Sequence, residues 1–242
     1  MLFGQAEDEV LIREPGTRRY SPPVHASTTA TPSWEYAVLS GNSYLNYWPG
    51  LEDPAPWEVK KGKFPQEEYW EEWKDFSKDK ALSTAANYVG LYGEVWEKKS
   101  SSPRTIVVVF RGTDASWKDW RSNLRWILRI IPFYSLMKDQ YTVVADKFAN
   151  TFLDHLTKKM RGTSGGEYTE VKIIAAGHSL GGGLAQHFAY ALPGRILSDG
   201  SKMPRVSEVY SFDPSPVTGW FSVKDIDQRT TNVSSLKIDR AF

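Results

Sequence analysis

The chain carries a serine at the centre of a Gly-x-Ser-x-Gly segment, a pattern typical of an activated nucleophile. Gly177, His178, Ser179, Leu180 and Gly181 follow one another directly after a short apolar run. Such a segment predicts a nucleophile elbow, in which the serine sits on a sharp turn between a strand and a helix with its hydroxyl exposed. The glycines are needed because side chains there would collide with neighbouring backbone. Ser179 is therefore the candidate nucleophile.

The sequence on both sides of this segment fits an elbow. Residues 171–176 are apolar except for Lys172 and predict a buried strand, and residues 184–192 predict a mostly apolar helix that Pro193 and Gly194 end. An ordinary glycine-rich turn between a strand and a helix is the alternative. The flanking strand and helix favour the elbow.

A serine that attacks a carbonyl creates an oxyanion, which backbone N–H groups stabilise. One donor is expected at Leu180, because the residue after the nucleophile points its amide into the site and begins a helix. A second donor must come from a loop after another strand. Residues 105–110 predict such a strand, and Arg111, Gly112 and Thr113 follow it.

Three motifs together resemble the class 3 lipases, which include the fungal triacylglycerol lipases. They are the Arg-Gly-Thr turn at 111–113, the segment 117–124 and the Gly-His-Ser-Leu-Gly-Gly run at 177–182. The likeness covers roughly Trp34 to the end of the chain and implies an α/β-hydrolase fold with no metal or organic cofactor. It also implies that Thr113 supplies the second oxyanion donor, through its backbone N–H and its hydroxyl. A plain surface turn residue is the alternative for Thr113.

The resemblance further implies a lid between residues 117 and 137. Its apolar candidates are Trp117, Trp120, Leu124 and Trp126. Arginines recur every fourth residue from 121 to 129, which would place them along one face of a helix. The apolar face that remains predicts contact with a lipid surface or with the acyl site. The alternative is a helix that packs on the sheet with a basic solvent face.

The general base of a serine hydrolase has no evident match in the sequence. In this fold the expected order is serine, then acid, then histidine. The chain has four histidines, and all precede the strand at 207–212: His25, His155, His178 and His187. The sequence therefore predicts a domain truncated at its C-terminus, with the base beyond residue 242. A catalytically silent domain that binds lipid or protein is the alternative, and another serine hydrolase of the same fold is a third.

Two carboxylates are candidates for the acid that orients the base. Asp213 follows the strand at 207–212 and would stand at the carboxyl edge of the sheet, where ligands bind in α/β proteins. Asp239 follows Ser179 by a separation close to that of the family, at the end of a further candidate strand. A turn-capping role for Asp213 and a surface position for Asp239 are the alternatives.

Composition narrows the function classes. With 30 basic and 29 acidic residues the net charge is +1, which gives no electrostatic case for nucleic acid. There is no cysteine, so neither disulfides nor thiolate metal sites are expected. The acidic N-terminus does not fit a Sec signal and no run suits a membrane span, so a cytoplasmic protein or signal-independent export is expected.

The remaining patterns divide the chain into a loosely ordered lead-in over residues 1–32 and one hydrolase domain over residues 33–242. Further predicted elements are helices at 34–47 and 146–160, a helical or turn-like stretch at 69–80, a hairpin of strands 88–96 and 105–110, and a strand starting near 233. This alternation predicts an α/β fold with a mostly parallel sheet and helices on both faces. The predicted function is hydrolysis of carboxylic esters of acyl lipids, with a lipid interface as a further candidate partner.

Overall fold

A six-stranded mixed sheet forms the centre of the molecule. The computed structural model describes residues 9–10, 24–25, 33–44, 69–112, 140–161 and 170–241. In spatial order the strands are β3 (Trp70–Glu72), β4 (Gly93–Lys98), β5 (Arg104–Phe110), β6 (Val171–His178), β7 (Val206–Phe212) and β8 (Lys237–Ala241). Strands β3 to β5 pair antiparallel, whereas β5 to β8 pair parallel. The predicted mostly parallel sheet is confirmed. Separately, β1 (Glu9–Val10) pairs antiparallel with β2 (Val24–His25).

Helices cover both faces of this sheet, as predicted. They are α1 (Trp34–Asn42), α2 (Lys74–Ser77), α3 (Lys80–Val89), α4 (Gln140–Val143), α5 (Ala149–Met160), α6 (Leu180–Ala191) and α7 (Ile226–Val233). A π-helical turn, Val144–Phe148, joins α4 to α5, and a short 3-10 turn, Trp220–Ser222, precedes α7. None of the helices in these described ranges is long and apolar enough to cross a bilayer.

The central strands are buried on both sides, so their side chains alternate between two cores. Val107 and Val109 of β5 pack with Leu39 of α1 on one face. Val108 and Phe110 pack on the opposite face, in the core that contains α5 and α6. Helices α1 and α6 therefore lie on opposite sides of the sheet.

A ring cluster fixes α6 against the strands. Phe188 is fully buried, and its ring lies 5.8 Å from those of Phe110 and Phe148 and 5.4 Å from that of Phe152. Tilted and edge-on rings at such distances are favourable beyond the apolar area that they bury. This core holds α6, and with it the turn before α6, at a fixed position relative to β5.

Several predicted elements differ from the structure. Residues 88–89 end a helix rather than begin a strand, because the Asp79 side chain accepts a hydrogen bond from Leu82 N at 2.8 Å and caps α3. Gly90, at φ +70°, ends that helix in the left-handed conformation. Trp70–Glu72 forms an edge strand and not a helical stretch, since it pairs with β4. Residues 226–233 are helical, with Asp225 as the cap, and the last strand begins only at Lys237.

Candidate functional site

Ser179 occupies the sharp turn between β6 and α6. Its backbone lies at φ +55° and ψ −125°, a region that non-glycine residues rarely adopt and that stores strain. Three backbone hydrogen bonds hold it there. Ser179 N donates to the Phe212 carbonyl at 2.9 Å, and the Ser179 carbonyl accepts from Gly182 N and Ser215 N, both at 3.0 Å. The strained turn is thus fixed by α6 and by the segment after β7.

Two glycines beside Ser179 allow the chain to pass through this turn. A Cβ added at Gly181 would run into the carbonyl oxygen of Phe110, at the end of β5. A Cβ added at Gly177 would run into the carbonyl oxygen of Gly181. The strand end and the first turn of the helix therefore approach closer than any side chain permits, which is the physical reason for the glycine pattern.

Leu180 begins α6, so its amide belongs to the first helical turn. The first four amides of a helix have no carbonyl partner within the helix, and the helix dipole is positive at this end. An anionic oxygen formed next to Ser179 would meet this N–H donor. The geometry suits the predicted oxyanion role of Leu180.

The turn after β5 lies against Ser179. A Cβ placed on Gly112 would stand 3.0 Å from Ser179 Cβ and 2.6 Å from the His178 carbonyl oxygen. The structure therefore brings the Arg-Gly part of the predicted oxyanion turn to Ser179. Thr113 and the lid candidates Trp117, Trp120, Leu124 and Trp126 lie outside the described residues.

Tyr44, just after α1, contacts both the elbow and the turn after β5, from the face of the sheet opposite to α6. Its hydroxyl lies 3.0 Å from His178 Nδ1 and accepts a hydrogen bond from Gly112 N, also at 3.0 Å. Sequence analysis missed this residue because it is 134 positions away from His178 and lies in an apolar helical pattern. Only the sheet topology brings the two together.

Burial favours the neutral form of the His178 imidazole. Burial lowers its pKa below the ordinary value of 6.5, against an opposing influence of the Asp213 carboxylate, which raises the pKa. The half-buried ring meets Tyr44 edge-on, with centroids 5.8 Å apart. His178 thus connects the elbow to Tyr44.

The other histidines have different surroundings. His187 is fully buried, and its two ring nitrogens lie 3.1 Å and 2.9 Å from the carbonyl oxygens of Gly219 and Tyr141. His155 packs edge-on against Phe76, with ring centroids 5.5 Å apart, and His25 lies in β2. In the part of the chain that the structure describes, no hydrogen bond joins Ser179 Oγ to a histidine.

The two candidate acids differ in their position along the strands: Asp213 follows the end of β7, whereas Asp239 lies within β8. Asp213 directly follows Phe212, whose carbonyl binds Ser179 N, and its own amide donates to the Ala241 carbonyl at 2.7 Å. Its φ of +42° turns the chain out of β7 at the Ser179 edge. Asp213 is exposed.

The sequence predicted Asp239 at the end of a strand. In the structure it lies in the middle of β8. It is paired with Tyr210, which is in register with Ala176, three residues before Ser179. Its carboxylate forms an ion pair with Lys237 at 3.1 Å. The expectation was wrong because α7 delays the start of β8, and this placement separates Asp239 from Ser179.

Within the described ranges, no group of three or more His, Cys, Asp or Glu side chains is arranged to hold a metal ion. The groups collected around Ser179 are instead a hydroxyl, backbone amides, an imidazole and a carboxylate. This set suits nucleophilic chemistry on a carbonyl.

Comparison with known proteins decides the family. The family model described as lipase (class 3) matches residues 107–233, which is more than half of the chain. The chain belongs to the class 3 lipase family. This confirms the resemblance inferred from the three motifs and the α/β-hydrolase fold expected with it. A search of curated proteins finds no match.

Solved structures of fungal lipases are similar to this class 3 lipase chain. The Rhizomucor miehei lipase in complex with its propeptide is 20% identical with a TM-score of 0.40, and the match covers 78% of this chain and 54% of that one. The lipase of Rhizopus microsporus var. chinensis is 16% identical with a TM-score of 0.34, covering 99% of this chain and 66% of that one. The chain thus spans between about half and two thirds of the length of these lipases.

The close approach of β5 and α6 gives a testable prediction. We expect Gly181→Ala to lower the free energy of unfolding by about 1–3 kcal/mol, because the new methyl group meets the Phe110 carbonyl and forces the backbone apart. Gly194→Ala is the matched control, since nothing lies within 4 Å of a Cβ there. Urea denaturation measures both changes. Equal effects of the two substitutions would contradict the close contact.

The environment of His178 makes folding stability depend on pH. The imidazole titrates near 6.5 in the unfolded chain and at a lower pH in the folded protein, so the unfolded chain binds more protons between these values. Stability from this group is therefore present above about pH 6.5 and is lost as pH falls through the folded-state pKa. His178→Asn keeps an acceptor but cannot titrate. We expect the melting-temperature advantage of the wild type over this variant to shrink as pH falls from about 7.5 to about 5. Parallel curves would count against a lowered pKa.

Proposed function

We propose that this protein hydrolyses carboxylic esters of acyl lipids through an acyl-Ser179 intermediate. The observation that carries the proposal is the position of Ser179, on a strained turn at the N-terminus of α6 and against the turn after β5. Membership of the class 3 lipase family supports the ester-hydrolase reaction class. The substrate class, an acyl lipid, follows from that family relationship.

The proposed reaction starts with attack of Ser179 Oγ on the ester carbonyl carbon. A general base takes the hydroxyl proton, and the carbonyl oxygen becomes an oxyanion that accepts a hydrogen bond from Leu180 N–H. We assign the second donor to Thr113, which follows the turn residue that contacts Ser179. Collapse of this intermediate releases the alcohol, which takes the proton, and leaves the acyl group on Ser179. Water then attacks the acyl-enzyme, the acyl group leaves as the carboxylic acid, and Ser179 Oγ regains its proton from the general base.

Asp213 is the better candidate for the carboxylate of this site. It leaves β7 directly after the residue that binds Ser179 N, whereas Asp239 lies lower in the sheet in an ion pair with Lys237. A carboxylate at the Ser179 edge can orient a histidine and stabilise its charged form. The lid candidates Trp117, Trp120, Leu124 and Trp126 are proposed to contact the lipid, from their sequence pattern.

A second function is favoured by one observation. Of the histidines that the structure describes with their side chains, none is hydrogen-bonded to Ser179 Oγ, and His187 is enclosed by backbone carbonyls. This arrangement suits a lipase-like domain that binds lipid or protein without catalysis. Reactivity of Ser179 separates the two functions.

The first test of the enzyme proposal is hydrolysis of a medium-chain p-nitrophenyl ester. We expect Ser179→Ala to lower kcat by at least about 10³-fold, because removing the nucleophile leaves only binding and oxyanion contributions. Ser83→Ala in α3 is the matched control and should retain full activity. The 242-residue chain and the product of its complete reading frame are both assayed, with organophosphate labelling of Ser179 as a second readout. Absence of both hydrolysis and labelling in both preparations would favour the binding domain.

The assignment of the acid is tested with a matched pair of substitutions. We expect Asp213→Asn to lower kcat by about 10²- to 10⁴-fold, since a base without its carboxylate loses its orientation and the stabilisation of its charge. Asp239→Asn should change kcat by less than about twofold, because it removes only an exposed ion pair. Steady-state kinetics with the same ester measure both. The reverse order of effects would transfer the role to Asp239.

A further inference from the structure

The hydroxyl of Tyr44 lies where two parts of the site meet. One is the elbow, through His178 Nδ1 at 3.0 Å, and the other is the turn after β5, through Gly112 N at 3.0 Å. Tyr44 itself belongs to the turn that ends α1, where its amide donates to the Gly41 carbonyl at 3.2 Å. One hydroxyl thus ties three segments that are distant in sequence.

The donors and acceptors in this contact are complementary. The amide of Gly112 can only donate, so the Tyr44 oxygen accepts from it. The hydroxyl keeps a proton and a lone pair with which it can pair with the imidazole nitrogen in either tautomer. Removal of this oxygen would leave both Gly112 N and His178 Nδ1 without this partner in a half-buried place, where an unmade hydrogen bond is costly.

Tyr44, Gly112 and His178 are also in close steric contact. A Cβ at Gly112 would collide with Tyr44 Oη, and it would stand 2.6 Å from the His178 carbonyl and 3.0 Å from Ser179 Cβ. The Gly112 backbone therefore lies close to Ser179, with no room for a side chain at position 112. Its amide points at Tyr44, so the hydrogen bond fixes the orientation of the Arg111–Gly112 peptide relative to the elbow.

We infer that Tyr44 is a positioning residue, which holds the Gly112 backbone and the elbow at a fixed separation so that Ser179 and Leu180 N–H keep their reactive geometry. This inference rests on the proposed ester hydrolysis at Ser179. Tyr44 acts through His178 and Gly112 and takes no part in bond making. Because small displacements at a reacting centre cost more in the transition state than in the bound ground state, the loss should fall on kcat rather than KM.

The experiment compares Tyr44→Phe with Tyr210→Phe in the preparation that hydrolyses p-nitrophenyl esters. Tyr210 also lies beneath α1, but its hydroxyl donates to Glu208 at 2.9 Å, away from the elbow. We expect Tyr44→Phe to lower kcat about tenfold with KM within about twofold, and Tyr210→Phe to change neither. A p-nitrophenyl alkylphosphonate titrates Ser179, so that kcat refers to reactive sites, and melting temperatures are recorded for each variant.

A second variant tests the route through the imidazole. His178→Leu removes the partner of Tyr44 at the elbow, and we expect the double variant with Tyr44→Phe to lose less than the product of the two single losses. Fully multiplicative losses would overturn the coupling. A change confined to KM, or a kcat for Tyr44→Phe equal to that of Tyr210→Phe, would overturn the inference and leave the proposed function intact. A wild type that neither hydrolyses the ester nor reacts with the phosphonate would remove the proposed function itself.

Discussion

The contact between the end of β5 and the first turn of α6 is the constraint on which the site depends. Gly181 lies against the Phe110 carbonyl with no room for a side chain, and this brings the helix N-terminus to the edge of the sheet. Ser179 must then turn between strand and helix with a positive φ, at a cost on the order of 1–3 kcal/mol. The buried rings of Phe110, Phe148, Phe152 and Phe188 hold the two elements together and offset that cost.

The same constraint determines which residues lie close to Ser179. Parallel strands β5, β6 and β7 end at one edge, so Gly112, Ser179 and Asp213 converge although they are far apart in sequence. Asp239 lies farther from this edge, because its strand starts late and leaves it in register, through Tyr210, with Ala176 in the interior of β6. Strand register, as well as residue type, therefore determines which residues form the site.

Sequence patterns predicted the parts of the fold that depend on local composition. The apolar runs of β5 and β6 and the apolar positions of β7 are typical of buried strands, and the glycines around Ser179 are typical of a tight turn between strand and helix. The prediction failed where tertiary pairing or capping determines the secondary structure. Tyr88 is an example: its aromatic ring suits a strand, but it lies in a helix capped by Asp79. Tyr44 could not be predicted, because its role arises from a contact across 134 positions.

Strand order has a consequence for where this domain begins and ends as a unit. The family match covers residues 107–233, which contains β6 and β7 but neither β4, the neighbour of β5, nor β8, the neighbour of β7. A polypeptide cut to that match would shorten β5 to residues 107–110 and would leave β5 and β7 each without one neighbouring strand, which invites edge-to-edge association between molecules. The stretch matched by the family model is thus smaller than the sheet, which in the described residues also contains the outer strands β3, β4 and β8.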